Sequence, residues 1–531
     1  MKDAKPLELD EAQLDDLQRN LAKRELSDAD YELLKVLIDT FRSLSLHYQR
    51  AKTSMKRVLK MIFGASTEKT DSVLKRDPKK APAPAGPKPK RKGHGRLGAA
   101  DYPGAERVHI PHELLRPGQQ CPDCIGRLRD AKRPSIVLRF CAQPVIKATA
   151  YVLEQLRCAL CGKTFTAPPP PEAGTEKYDD NVAPMVGVLR YGFGMPMNRQ
   201  ADQQKMFGVP LPVGTQWGLL KAYQQEIGPM ILPVWVRQAA TGSVFHNDDT
   251  NGRVLELEKE IRTRRAEAKP GEKLRTGVFT TGVVAILKDG HKIALYTTGR
   301  QHAGENLQDV LDHRPSHLPA PIQMCDGLSR NEPQSDTLKA NCNSHGRREF
   351  VDIADHFQPE CEYVLETFKL VYKHEAAALD QKLSPEQRLF YHQQNSAEPM
   401  ERLRLWMEQK LNDHQVEPNS ALGSAFHYVL KRWGKLTLFL NKAGAPLDNN
   451  LCERILKTSI RHRDNSLFYK TMNDAKVGDF FMSVIQTCRL CGKDAFDYLT
   501  TLKRFAQQVR KDPSAWMPWN YQATAAGPPA T

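Results

Sequence analysis

At 531 residues the chain is long enough for roughly three or four domains, and 40% hydrophobic content is ordinary for a globular protein. No apolar run approaches the roughly 20 residues that span a bilayer, and the opening "MKDAKPLELDEAQ" lacks a signal-peptide pattern, so a cytoplasmic protein without a membrane partner is expected. A formal charge of +15 points to a polyanion as partner, and 11 cysteines, an odd number, suit metal binding in a reducing compartment better than a disulfide framework.

Residues 1–72 read as a helical segment. Leu34, Leu37, Phe41, Leu44, Tyr48, Ala51, Met55, Val58 and Ile62 recur at alternating spacings of three and four, a heptad pattern that predicts a dimerising coiled coil. The preceding "LELDEAQLDDLQRNLAKREL", ending before a capping Ser27, offers the alternative of a hairpin within one chain. Residues 51–100 hold 14 Lys or Arg against 3 acids, and their later part, 73–100, is a Pro/Lys-rich stretch without apolar periodicity that reads as an extended basic linker. Over 101–170, Cys121-Pro-Asp-Cys124 and Cys158-Ala-Leu-Cys161 supply four thiolates for one structural Zn²⁺ in a zinc ribbon. Cys488 and Cys491 lie in a helical pattern with no second pair nearby and read as core.

From 171 to 235 the pattern is helical. "NRQADQQKMF", the turn "GVPLP" and "VGTQWGLLKAYQQEI" have the lengths of a helix-turn-helix that would present Thr215, Gln216 and Lys221 to DNA. Strands follow between 240 and 345. "GSVFHNDDT" puts Val244, His246 and Asp248 on one face; "TGVFTTGVVAIL" and "HKIALYTT" form a hairpin around Asp289-Gly290; and the helix "HAGENLQDVLDH" leads to the strand "APIQMCDG", which ends in Asp326. "LKANCNSHGRREF" continues as a fifth strand running into a helix. Residues 346–445 are helical throughout, and "APLDNNLCERILK" starts another helix with Glu453 in its first or second turn.

The order β-β-β-α-β-(α)-β-α makes strands one and four neighbours in a ribonuclease H-like sheet. Asp248, Asp326 and Glu453 can then converge, although 78 and 127 residues separate them. Strand alternation selects Asp248 over Asp249. Convergent carboxylates repel unless Mg²⁺ or Mn²⁺ sits among them, and a pair of such ions is the usual device for phosphoryl transfer. Arg347, Arg348, Arg454, Lys457, Arg461 and Arg463 flank the predicted site and could hold phosphates.

"HNDDT", the "DG" after a strand, "CNSHGRREF" and above all "PLDNNLCERILK" resemble transposases of the insertion-sequence sixty-six family. So do "MIFGASTEK", the two CxxC knuckles and "CGKDAFDYLTTL". The resemblance runs from about residue 30 to 505. It implies a multidomain α/β protein: a ribonuclease H-like catalytic core (240–345 and 446–505) with an all-α insertion (346–445), preceded by coiled coil, zinc ribbon and helix-turn-helix, and followed by a tail (506–531).

It also implies a DDE transposase that binds terminal inverted repeats, cleaves the ends and joins 3′-hydroxyls to target DNA, with Asp248, Asp326 and Glu453 holding two Mg²⁺ or Mn²⁺ ions. Cys342 and His345 match a CxxH signature and, with Asn449, Asn450 and Arg454, would support the site. The implied partners are double-stranded DNA, further copies in a homodimer or larger synaptic assembly, and small accessory proteins of the same element; the implied location is the bacterial nucleoid. A charged insert, "RVLELEKEIRTRRAEAKPGEK", departs from many relatives. A non-enzymatic DNA-binding repressor and a nuclease without strand transfer are the rival readings.

Overall fold

The computed structural model describes residues 11–41, 44, 48, 70–74, 118–120, 145–157, 164–267 and 274–526. Cys121, Cys124, Cys158 and Cys161, the basic linker from residue 75 onward, and Ala51, Met55, Val58 and Ile62 of the heptads lie outside the described residues. The chain divides into two compact units, residues 79–148 and the remainder. In the smaller, only 118–120 and 145–148 are described.

In the larger unit, the helix Glu11–Lys23 is followed by a second over 28–41. Ser27 and Asp30 cap the second reciprocally: Asp30 N donates to Ser27 Oγ (3.3 Å) and Ser27 N to Asp30 Oδ2 (2.9 Å). Leu17 is buried, whereas Phe41, Leu44 and Tyr48 of the heptad pattern stand exposed. Strands Gln155–Arg157 and Thr164–Thr166 pair antiparallel on either side of the second CxxC.

Past a short helix, Val182–Gly187, and the π-helical turn Val188–Gly192 come helices α1 (Met197–Met206) and α2 (Val213–Ala240). The predicted turn joins them, but α2 runs on to 28 residues, through Pro229 and Pro233. At 1.5 Å per residue that is a rod of about 42 Å. No helix among the described residues is long and apolar enough to cross a membrane.

The sheet has five strands: β1 (Val244–Asn251), β2 (Phe279–Ile286), β3 (Lys292–Gly299), β4 (Ile322–Cys325) and β5 (Leu338–Asn341), in the order β3-β2-β1-β4-β5. β2 is antiparallel to both neighbours, while β4 runs parallel to β1 and to β5. The β2–β3 turn is the predicted one, with Gly290 at φ +88 and Leu287 N donating to His291 O (2.8 Å). The charged insert after β1 forms helix α3 (Leu255–Glu267), and α4 (Ala303–Leu311) makes the crossover from β3 to β4. The mixed α/β class is therefore as expected.

After β5 come α5 (Asn343–Val351), α6 (Gln358–Asp380), Pro385–Asn395, Ala397–Asn412 and α7 (Ala421–Lys431), an all-helical stretch that leaves the sheet uninterrupted. Its apolar core, with Val364, Phe368, Leu403 and Phe426, is continuous with Val244, Met324 and Ala340 on one sheet face. The chain then returns through α8 (Asn450–Ser466), α9 (Met472–Leu490) and α10 (Ala495–Arg504).

Helix α9 covers the outer edge of β3. Ala294 N donates to Thr487 Oγ1 (3.0 Å), Tyr296 N to Ser483 Oγ (2.9 Å) and Thr298 N to Asp479 Oδ2 (2.7 Å). Four helical residues rise about 6 Å and two strand residues about 6.6 Å, so the two repeats stay in step along the edge. Cys488 is buried in the same helix, in the core as read from the sequence, whereas Cys491 at its C-terminal end is half-buried and donates to Lys292 O.

Candidate active site

Alternation along β1 sends Asp248 and Asp249 to opposite sides. Asp249 accepts from His302 at Nδ1 (3.0 Å) and from Ala303 N (3.4 Å), and Arg330 approaches its other oxygen at 3.4 Å, so it anchors the N-terminus of α4. Asp248 faces Asp326, which follows β4, the parallel neighbour of β1. Asn331 spans the pair, its Nδ2 donating to Asp326 Oδ1 (2.7 Å) and to Asp248 Oδ1 (3.4 Å).

Burial, then the charge of Asp326, with smaller contributions from Asp249 and Glu453, push the Asp248 carboxyl up to about 7, against the lowering effect of the Asp249 N–H. Glu453 sits in the first turn of α8, as expected. The approach of α8 depends on Gly282 of β2, where a methyl group would lie 3.0 Å from Leu456 Cδ2 and 3.3 Å from Ile455 Cδ1. Cys452 donates to Gly282 O (3.2 Å).

Asn449 fixes the start of α8. Fully buried, it meets His246 Nδ1 at 3.2 Å, donates from Nδ2 to Asn247 O (3.2 Å), and donates its backbone N–H to Cys342 Sγ (3.2 Å). Burial pushes the His246 imidazole down to about 4, so it is neutral in this contact. Cys342 is pushed up to about 12 by burial; it keeps its proton and serves as an acceptor at the helix start.

His345, in the first turn of α5, places Nδ1 3.8 Å from Glu453 Oε1, and neither atom has a hydrogen-bond partner although both are buried. One ligand atom each of Cys342, His345 and Glu453 lies within 4.8 Å of the others. Asn450 is turned outward to Asp448, donating from N (3.0 Å) and Nδ2 (2.6 Å), and Arg454 Nε donates to Asn450 O within its own helix.

Among the described residues, the three acids have no Lys or Arg as an ion-pair neighbour; Glu453 has only His345. Carboxylate oxygens crowded without a counter-charge, one of them buried and unbonded, fit a divalent, oxygen-seeking cation such as Mg²⁺ or Mn²⁺. The still-protonated Cys342 thiol fits such an ion poorly.

Of the predicted phosphate contacts, Lys457 and Arg461 are exposed on α8. Arg463 is turned back onto Thr250 Oγ1 and Asn251 O, and Arg347 donates to Thr70 Oγ1 (3.3 Å), with Arg348 half-buried beside it. In the helical pair α1–α2, Lys221 is exposed and Thr215 half-buried, but Gln216 is a correction: fully buried, its Nε2 donates to Met197 O (3.0 Å) and Leu211 O (2.8 Å), locking the turn instead of facing DNA. The same face of α2 packs into the core further along, with Tyr223 against Phe481 and Trp235 against Tyr498. Asn331, the bridge between the aspartates, escaped the sequence reading because it lies in a loop with no periodic signal.

The family model described as "Transposase IS66 family" matches residues 178–477, a span that contains all three acids. Three uncharacterized proteins of Sinorhizobium fredii are similar. One, y4jD, is 29% identical over 203 residues, 37% of this chain and 39% of its own length. Another, y4qI, is 32% identical over 115 residues, 21% of each chain. The third, y4hP, is 24% identical over 408 residues, 72% of this chain and 69% of its own. The match thus spans about two-fifths of the first relative and a fifth of the second. No solved structure matches the chain.

Proposed function

The chain belongs to the transposase IS66 family, and from that premise we propose that it binds the terminal inverted repeats of an insertion sequence, cleaves its ends and joins the freed 3′-hydroxyls to target DNA. The sheet order, with β2 alone antiparallel, supports reading the core as ribonuclease H-like, with the helices after β5 as an all-α insertion. One observation carries the assignment of the active site: Asp248 of β1 and Asp326, just past the adjacent β4, share the Asn331 amide, and Glu453 stands at the helix start that Asn449 pins to β1.

Two Mg²⁺ or Mn²⁺ ions held by these acids would supply the positive charge that activates the attacking hydroxyl and steadies the departing oxygen in phosphoryl transfer. The chain's own residues do the holding. Asn331 keeps Asp248 and Asp326 side by side, Asn449 pins the start of α8 to β1, and His345 flanks Glu453.

Lys457 and Arg461, with Arg347, Arg348 and Arg463 nearer the core, would contact DNA phosphates, and Thr215 and Lys221 would meet the transposon end; Gln216 drops out of that set. A structural Zn²⁺ on Cys121, Cys124, Cys158 and Cys161, a homodimer or larger synaptic assembly through the N-terminal heptads, and small accessory proteins complete the proposal, on the sequence alone.

The test is a Mn²⁺ strand-transfer assay on duplexes carrying the inverted repeats that bracket the gene. Asp248→Asn, Asp326→Asn and Glu453→Gln should each bind the ends yet neither cleave nor join them. A Glu453→Gln protein that folds, binds and joins at near wild-type rate would refute the triad. A wild type that cleaves without joining would be a nuclease instead.

A further inference from the structure

Among the described residues the three acids have no Lys or Arg as an ion-pair neighbour, yet one guanidinium without an ion pair there stands beside the loop that follows Asp326. Arg432, at the end of α7, lies with its Cζ 4.0 Å over the Tyr428 ring and donates from Nη1 to Tyr428 O (3.3 Å). Tyr428 in turn donates from its hydroxyl to Asp326 O (3.3 Å). Gly327, at φ +82, brings the loop beneath: a methyl group there would lie 3.1 Å from Arg432 Nε and 3.1 Å from Asn341 Nδ2. The ring contact and the close loop hold the guanidinium in one place against Gly327, the residue after Asp326.

The neighbouring cations are already spent. Lys339 and Lys435 both bind Glu332, at 2.5 and 2.9 Å, and Arg330 is engaged by Asp249. Arg432 makes no ion pair among the described residues, and only one of its five N–H donors has a hydrogen-bond acceptor there. A planar fork fixed by an aromatic face, with most of its donors free, matches the oxygens of a phosphodiester.

We propose that Arg432 is a phosphate-binding residue of the acidic site, delivered by the helical insertion, so that the site is completed by a segment lying between the fifth strand and the acid-bearing helix. The proposal rests on the transposase reading above. On that reading, Arg432 holds an oxygen of the DNA strand while the acids hold the metal ions, which gives the insertion a direct part in the chemistry.

The full-length protein should be assayed for Mn²⁺-dependent nicking of supercoiled plasmid, for binding of a short duplex in Ca²⁺ at several salt concentrations, and for the thermal shift produced by Mn²⁺. Arg432→Gln should lower nicking at saturating plasmid by about 10²–10³-fold, the loss expected for one preorganised donor. It should reduce the slope of log affinity against log salt by about one and leave the Mn²⁺ thermal shift unchanged. Arg432→Lys, which keeps the charge and the stack, should recover part of the rate, and exposed Lys431→Gln should nick as wild type does.

Nicking within threefold of wild type by a folded Arg432→Gln overturns the proposal and leaves the triad standing if Asp326→Asn is inactive. Loss of the Mn²⁺ thermal shift in both Arg432 variants would also overturn it, because the residue would then be shaping the metal site. A wild type with neither nicking nor a Mn²⁺ shift overturns the transposase reading itself, and the proposal with it.

Discussion

Replacing Asp479 by Asn should stabilise the protein at alkaline pH, by an amount the structure lets one estimate. Asp479 is buried under the edge of β3, where it accepts from Thr298 N and Thr298 Oγ1, both at 2.7 Å. Burial nonetheless wins and pushes its carboxyl from 3.8 to about 7. The folded state therefore binds the proton more tightly than the unfolded chain does. The stability this contributes is fully present below the unfolded value near 3.8 and is lost as pH rises through about 7.

A shift of about 3 units at 1.36 kcal/mol each is about 4 kcal/mol, of which about 2.5 kcal/mol accrues between pH 5 and pH 8. Asn removes the titration and keeps the shape. Its oxygen can accept from Thr298 N and its amide can donate to Thr298 Oγ1, which also meets Thr280 Oγ1. Urea unfolding of both proteins at pH 5 and pH 8 isolates this group, because other titrations cancel in the difference between them. The advantage of the Asn variant should grow by about 2.5 kcal/mol from the lower pH to the higher. An unchanged difference, or an Asn variant less stable than wild type at pH 8, would mean that the two Thr298 bonds outweigh burial.

Gly282→Ala should cost about 1–3 kcal/mol in thermal denaturation and lower end cleavage, since the added methyl presses on Leu456 and Ile455 and displaces the helix that carries Glu453; cleavage equal to wild type would show that α8 tolerates the shift. Cys121→Ser with Cys124→Ser should remove one equivalent of Zn²⁺ by metal analysis and weaken end binding while the catalytic unit keeps its melting transition; unchanged metal content would dismiss the ribbon. Leu37→Lys with Leu44→Lys should turn a dimer into a monomer by sedimentation of the N-terminal segment, and a monomeric wild-type segment would assign the heptads to packing within one chain.

Legibility varied with how local the determining physics is. Ser27 was readable as a cap and Asp289-Gly290 as a turn because each is settled within a few residues. Asp248 was distinguished from Asp249 by strand alternation together with the register of the family resemblance, and the structure sends the two to different neighbours. Gln216 was misread although the signal existed: with Leu220, Tyr223 and Ile227 it forms a stripe at spacings of four, three and four, the buried face of α2. Asn331 and Arg432 had no such signal, since their partners are set by the return of a loop and of an inserted helix bundle. Convergence of the acids could be inferred only by supposing a strand order, which local pattern does not encode.

Helix α9 closes the sheet late in the chain, and this has a bearing on synthesis. The family match ends at 477, inside α9 and ahead of Asp479, Ser483 and Thr487, and also ahead of the Leu499 carbonyl that accepts from Tyr223. From the end of β3 at 299 to the end of α9 at 490 the ribosome adds 191 residues, roughly 10 to 40 s at 5–20 residues per second. Throughout that interval the β3 edge is open to pairing with other chains. A product ended near 477 would carry every proposed metal ligand and still present a bare strand edge, so we predict that it pellets when expressed, and a soluble, monomeric 1–477 would contradict this. Premature termination would thus yield aggregates for proteases in place of a loose DNA-cutting fragment.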